Sequence, residues 1–141
     1  ILLDYRVIKA SSIVYVTKKL QLKPDELVHQ ILRIRTSDNV RIALSRTYIP
    51  CKYLPALDVT ILEGSLYDYL DREFNIHPKA YDYSFSAVLP NEQQKELLQT
   101  DSCALLKVCH CSSAENIPIF EYTETYYVGN RYTYNIPKSS G

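Results

Sequence analysis

Arg33 and Arg35 stand two residues apart in the stretch Gln30-Ile31-Leu32-Arg33-Ile34-Arg35. Alternation of this kind marks a strand, because successive strand side chains leave on opposite faces. Leu32 and Ile34 then share one face, and Ile31, Arg33 and Arg35 share the other. Residues i and i+2 on a strand lie about 6–7 Å apart. Both guanidiniums can therefore reach one anion, and the planar fork of Arg suits phosphate or carboxylate. A solvated strand face has the same pattern, so the pair alone leaves that choice open.

A second candidate is Gly64-Ser65-Leu66-Tyr67, which opens a helix. A helix start presents unpaired N–H groups and the positive end of the helix dipole, and so attracts anions. Ser65 adds a hydroxyl and Tyr67 falls in the first turn; a serine that only caps the helix would look the same. A third is Pro118 to Val128, where Glu121, Thr123, Thr125 and Tyr127 alternate onto one face and Phe120, Tyr122, Glu124 and Tyr126 onto the other. The polar set fits the floor of a wet pocket or a solvent-facing side of a sheet. Catalysis has little support: no G-x-S-x-G and no glycine-rich phosphate loop is present, and the chain has three glycines. His29, His77 and His110 are isolated, which suits surface or core histidines better than general bases.

These residues must be held by a single domain, since 141 residues can bury one substantial core. Zero formal net charge lacks the basic footprint of a nucleic-acid-binding surface. Apolar runs are only a few residues long, too short to span a membrane. The chain opens on Ile1 without a charged-then-apolar leader and reads as part of something longer. Thirteen tyrosines against three phenylalanines suit polar-lined pockets and interfaces. Cys51, Cys103, Cys109 and Cys111 lack C-x-x-C spacing, and His110 faces away from its two cysteine neighbours. Buried thiols in a reducing cytoplasm are expected, with no metal and no cofactor.

Strands are expected over Asp4 to Ala10, Leu27 to Thr36, Val40 to Ile49, Lys79 to Leu89, Ala104 to Ser112 and Pro118 to Val128. A last strand, Arg131 to Ile136, folds back after Gly129-Asn130. Ser37-Asp38-Asn39 and Ala114-Glu115-Asn116 have hairpin chemistry. One helix starts at Ser11 or Ser12 and runs to about Leu20, with Ile13, Val16 and Leu20 as its inner stripe. Another follows Ser65, with Leu66, Tyr69, Leu70 and Phe74 inward, and a third follows Pro90-Asn91, with Leu97 and Leu98 buried. Together these describe an α+β domain, an antiparallel six-stranded sheet flanked by three helices.

Four motifs in one order carry a resemblance. Arg33-Ile34-Arg35 stands for an R-x-R strand, and Ser45-Arg46-Thr47-Tyr48-Ile49-Pro50 fills an E-x-x-Y-x-P position. Gly64-Ser65-Leu66-Tyr67-Asp68-Tyr69-Leu70 matches G-S-L-Y-x-x-L. Ile117-Pro118-Ile119-Phe120-Glu121-Tyr122 and Tyr126-Tyr127-Val128-Gly129-Asn130-Arg131-Tyr132 match P-I-E-Y and Y-x-G-[DN]-R-Y. Over about Leu3 to Ile136 the chain resembles the UTRA domain, the effector-binding half of GntR-family transcription regulators of the HutC type. Two positions depart from the pattern: Ser45 stands where the family commonly has Glu, and Phe120 lengthens P-I-E-Y by one residue.

The resemblance implies a fold similar to chorismate lyase, with a ligand held between sheet and helix. It implies that Arg33, Arg35, Ser65 and Tyr67 bind an anionic group, often a sugar phosphate, and that Glu121 and Tyr127 contact the rest of the ligand. It further implies a cytoplasmic homodimer without enzymatic activity, preceded by a winged-helix DNA-binding domain outside this chain and acting in transcription regulation, for example as a repressor. Two alternatives share the fold: an enzyme acting on a carboxylate substrate, and a purely dimerising module.

Overall fold

Period-two patterning resolves into one antiparallel sheet. The computed structural model describes residues 1–61 and 65–136. Its strands are β1 (Leu2–Lys9), β2 (Leu27–Ser37), β3 (Val40–Pro50), β4 (Lys79–Val88), β5 (Leu105–Ala114) and β6 (Ile117–Val128). They lie in the order β1-β2-β3-β6-β5-β4, and every neighbouring pair is antiparallel. Three helices, α1 (Val14–Leu20), α2 (Leu66–Phe74) and α3 (Glu92–Leu98), complete the α+β domain among the described residues.

Alternation decides which helix each strand residue meets. On one face, Val16 and Leu20 of α1 pack with Val28, Tyr48, Cys109, Cys111 and Tyr122. On that face too, Leu98 of α3 packs with Ile34, Leu44, Leu105 and Val128. On the other face, Leu66, Tyr69 and Leu70 of α2 cover Ile31, Ile49 and Phe120. Leu70 is wholly buried, so truncation to Ala costs about 2–5 kcal/mol by loss of burial and cavity formation.

Turns and caps follow their residue chemistry. Asp38 and Asn39, with φ of 51° and 64°, form the two-residue loop between paired Ser37 and Val40; consecutive left-handed residues match the strand twist. The Ser65 side chain accepts from the Asp68 amide at 3.3 Å and caps α2. Asn91 and Gln94 close a reciprocal capping box at α3. At the far end of α3, Arg41 Nη1 donates to Leu97 O at 2.7 Å. Arg131 donates to Leu98 O at 2.9 Å, Gln99 O at 2.7 Å and Arg41 O at 2.9 Å. Two guanidiniums thus satisfy the last carbonyls where the helix dipole is negative, which gives the arginine of the last motif a structural task.

Three expectations are corrected. Ser11 and Ser12 do not cap α1: Ala10–Ser12 form a 3-10 turn, and the helix starts after Ile13 with no side-chain cap. The Ser12 hydroxyl is instead spent on Lys9 O at 2.6 Å. Arg131 to Ile136 is not a strand; Arg131 lies in a turn and 132–136 have no regular structure. Aromatic packing holds this segment across the sheet: Tyr132 stacks on Tyr127 with centroids 4.3 Å apart, and Tyr134 meets Phe85 edge-on at 5.2 Å. Phe120 leaves the face of Tyr122 and joins the α2 cluster. The register of β5 against β6 slips between the pairs Ser112–Glu121 and Ala114–Ile117. Extra residues at such a bulge break alternation and re-aim side chains, so Phe120 and its neighbour Glu121 both serve the α2 side. The added residue in the P-I-E-Y motif falls within this slip.

Candidate functional site

Between the N-terminal end of α2 and the sheet lies a cavity of about 530 Å³. Its floor is the small polar face of the two central strands. Ser45 pairs with Thr125 and Thr47 with Thr123 across β3 and β6, and the hydroxyls of Thr47 and Thr123 lie 3.3 Å apart. Thr123, Thr125 and Tyr127 are each 6–7% exposed and Glu121 only 1%. The polar alternation of β6 therefore floors a pocket, and is not the solvent side of a sheet.

All six residues singled out from the sequence, Arg33, Arg35, Ser65, Tyr67, Glu121 and Tyr127, line this one cavity. Arg33 and Arg35 enter from β2, where they register with Ser45 and Ala43 of β3; Arg33 is half-buried and Arg35 exposed. Arg35 Nη1 donates to the Tyr127 hydroxyl at 3.1 Å. Its guanidinium also lies 5.7 Å and 5.9 Å from the ring centres of Tyr127 and Tyr132. Aromatic faces hold the cation by the ring quadrupole while leaving N–H donors directed sideways. Burial raises the Tyr127 pKa, partly opposed by Arg35, so its hydroxyl stays neutral near pH 7. Ser65 caps α2 and lines the cavity at once. Gly64, the other residue of that helix opening, lies outside the described residues.

Tyr67 and Glu121 form a fixed polar wall. The Tyr67 hydroxyl donates to Glu121 Oε1, and Ser112 Oγ donates to the same oxygen at 2.7 Å. Tyr67 and Ser112 hydroxyl oxygens are themselves 3.1 Å apart, and Thr123 Oγ1 lies 3.5 Å from Glu121 Oε2. Burial, then the negative charge of Glu121, pushes the Tyr67 pKa far upward. Tyr67 is therefore a permanent donor that ties α2 to the buried carboxylate. Oε1 is committed to this wall, while Oε2 retains capacity to accept.

His110 also lines the cavity, packed 5.2 Å from the Tyr83 ring, and Ser45, Thr47 and Thr36 contribute to its rim and floor. In the sequence His110 is isolated, and its opposite facing to Cys109 and Cys111 is the signal that points to this wall. The other histidines lie elsewhere. His29 is buried, its Nε2 donating to Leu54 O at 2.7 Å and its Nδ1 accepting from Tyr5 Oη at 2.6 Å. Burial lowers its pKa. Exposed His77 bridges Glu115 and Asp71, each at 2.6 Å, and these partners raise its pKa.

Comparison with known proteins places this geometry. The model of the UTRA domain matches residues 1–133. The HTH-type transcriptional regulator TreR of Bacillus subtilis is 24% identical over 111 residues, covering 78% of this chain and 47% of that protein. Indeed the chain spans about half the length of the curated relatives it matches. A GntR-family transcriptional regulator from Enterococcus faecalis superposes with a TM-score of 0.84 at 29% identity, covering 98% of this chain and 99% of that one. The effector domain of PhnF from Mycobacterium smegmatis shares the fold, with a TM-score of 0.83 at 23% identity over 99% and 86% of the two chains. The family model thus covers nearly the whole chain and the fold is shared with regulators of the GntR family, and the chain belongs to the UTRA domain family.

Proposed function

We propose that this chain is the effector-sensing half of a cytoplasmic transcription regulator, and that its cavity receives a small anionic metabolite, a phosphorylated sugar by preference. The observation that carries the proposal is the convergence of Arg33, Arg35 and the Ser65 helix start on one cavity. Two guanidiniums and the positive end of α2 suit a group with multiple acceptor oxygens and negative charge. The far wall has the opposite character, since Glu121 accepts hydrogen bonds and the threonine hydroxyls can do both. A guest that is anionic at one end and rich in hydroxyl or amino donors at the other satisfies both walls, which is the chemistry of a sugar phosphate.

In this reading the domain performs no catalysis. It works as a homodimer behind a winged-helix DNA-binding domain that belongs to the longer protein. The guest must bind two dimer arrangements with different affinity for the signal to pass. Thermal unfolding with hexose phosphates, the same hexoses without phosphate, and inorganic phosphate tests the proposal. A ligand at about a hundred times its Kd stabilises by about 2.7 kcal/mol, or roughly 5–10 °C for a domain of this size. Arg33→Ala should abolish the shift, each charged hydrogen bond being worth about 1.5–3 kcal/mol. Absence of a shift with every phosphorylated compound, while the longer protein still answers an inducer, would refute it.

A further inference from the structure

The cavity floor is built in rows, because residues in register on neighbouring antiparallel strands share a face. One row runs Arg33, Ser45 and Thr125 over β2, β3 and β6. The next runs Thr47, Thr123 and His110 over β3, β6 and β5. The strand order puts β3 and β6 between β2 and β5, a backbone separation of about 14 Å at the usual strand spacing. His110 therefore stands at the opposite end of the floor from the arginines. Between the two ends the rows supply hydroxyls alone, since Ser45 takes the position where the family commonly has Glu. Among the described lining residues Glu121 is the one carboxylate, and the cationic side chains are Arg33 and Arg35, both on β2.

The His110 ring is held from two sides. Its Nδ1 lies 3.2 Å from the Cys111 carbonyl oxygen; a carbonyl can only accept, so Nδ1 carries the proton and donates. Tyr83 packs against the ring with centroids 5.2 Å apart. Nε2 is left as the acceptor of the neutral tautomer, and it has no hydrogen-bond partner among the described residues. In the adjacent row Ser112 stands opposite Glu121. There Oε1 is occupied by the Tyr67 and Ser112 hydroxyls, and Oε2 stays open to a donor. The end of the cavity remote from the arginines thus offers two acceptors and no cationic side chain.

We infer that His110 touches the guest and sets its specificity: Nε2 accepts a hydrogen bond from a hydroxyl or amino group at the end remote from the anion. This rests on the sugar-phosphate reading above and narrows it. The guest carries its negative charge at one end only. A second phosphate would lie against the Glu121 carboxylate and the His110 lone pair, repelled by both and held by no cation. A monophosphorylated sugar with a hydroxyl-bearing far end fits these walls, and a bisphosphate does not. A histidine kept only for packing against Tyr83 would be indifferent to what that end of the guest carries.

Titration calorimetry on the 141-residue chain tests it, comparing the native protein with His110→Asn and His110→Gln. The probes are inorganic phosphate, the 6-phosphates of glucose, fructose and glucosamine, and fructose 1,6-bisphosphate. Asn keeps an amide N–H for the Cys111 carbonyl but lacks Nε2, whereas Gln carries an acceptor out toward the Nε2 position. His110→Asn should weaken the best-bound hexose phosphate about tenfold and inorganic phosphate less than about twofold, and His110→Gln should recover the hexose phosphate to within about threefold. The bisphosphate should bind the native protein about tenfold more weakly than fructose 6-phosphate. His110→Phe, which keeps a ring against Tyr83, repeats the comparison should His110→Asn lose its native circular dichroism. A folded variant without Nε2 that binds hexose phosphate as the native protein does, or that loses phosphate and hexose phosphate equally, overturns the inference and leaves the sugar-phosphate reading standing. Tighter binding of the bisphosphate does the same, since it would make His110 the partner of a second anion. A native protein that binds none of the phosphorylated probes overturns that reading and the inference together.

Discussion

Replacing Tyr67 with Phe removes one oxygen and leaves the ring. In the native wall, Glu121 Oε1 receives both the Tyr67 and the Ser112 hydroxyls, and the carboxylate is 1% exposed. Solvent cannot readily replace the lost donor, so the variant loses a charge-assisted hydrogen bond of about 1.5–3 kcal/mol. The Tyr67 residue is 37% exposed, so the change in burial of its ring is small beside this. A loss of about 2 kcal/mol lowers the melting temperature by roughly 4–8 °C in a domain of this size. Urea unfolding gives the free energy, and a double-mutant cycle with Glu121→Gln isolates the pair. Against neutral Gln the same hydroxyl is worth only about 0.5–1.5 kcal/mol, so the coupling energy should be about 1 kcal/mol or more. A Tyr67→Phe loss below about 0.5 kcal/mol, or an equal loss in both backgrounds, would show that Tyr67 is not the donor that holds this carboxylate to α2.

Other consequences follow from the same contacts. Arg131→Lys should cost about 2–4 kcal/mol, because one ammonium cannot hold the three carbonyls that the planar guanidinium holds; hydrogen exchange should quicken at the end of α3. Gly129→Ala should destabilise by about 1–3 kcal/mol, since a Cβ there would lie 2.5 Å from the Ala104 carbonyl oxygen, as measured by denaturant midpoint. The two histidines oppose each other with pH. His29 has a lowered pKa in the fold, so its contribution is present above the unfolded value and is lost as pH falls toward the folded one. His77 has a raised pKa, so its contribution is present below the unfolded value and is lost as pH rises through the folded one. His77→Ala should therefore remove stability that the native protein gains on acidification from about pH 8 to 6, the range that runs from above the ordinary His pKa down to it, and an unchanged profile would remove His77 from the balance.

Much of the site could be read locally because strand alternation is a local property. Arg33 with Arg35, and Glu121 with Thr123, Thr125 and Tyr127, were assigned to shared faces from period two alone, and the faces hold where the ladders are regular. It failed at Phe120, where the β5–β6 ladder slips: a bulge depends on the partner strand, which no spacing within Pro118–Val128 encodes. The segment Arg131 to Ile136 has strand-like residues, yet it is spent on ring contacts with Tyr127 and Phe85, and those rings lie on other strands. His110 was missed for the same reason, since a lone histidine gains meaning only from the wall it joins.

By itself the sequence determined the α+β class, the hairpins at Asp38-Asn39 and Glu115-Asn116, the cap at Ser65, and which residues of β2 and β6 share a face. Those features depend on backbone preference and side-chain period over a few neighbouring residues. Only the tertiary structure decided that the two arginines of β2, the mouth of α2 and Glu121 of β6 open onto one cavity. Strand order and the seating of α2 on the sheet bring together groups tens of residues apart, and that order comes from burying both apolar faces at once rather than from any single stretch.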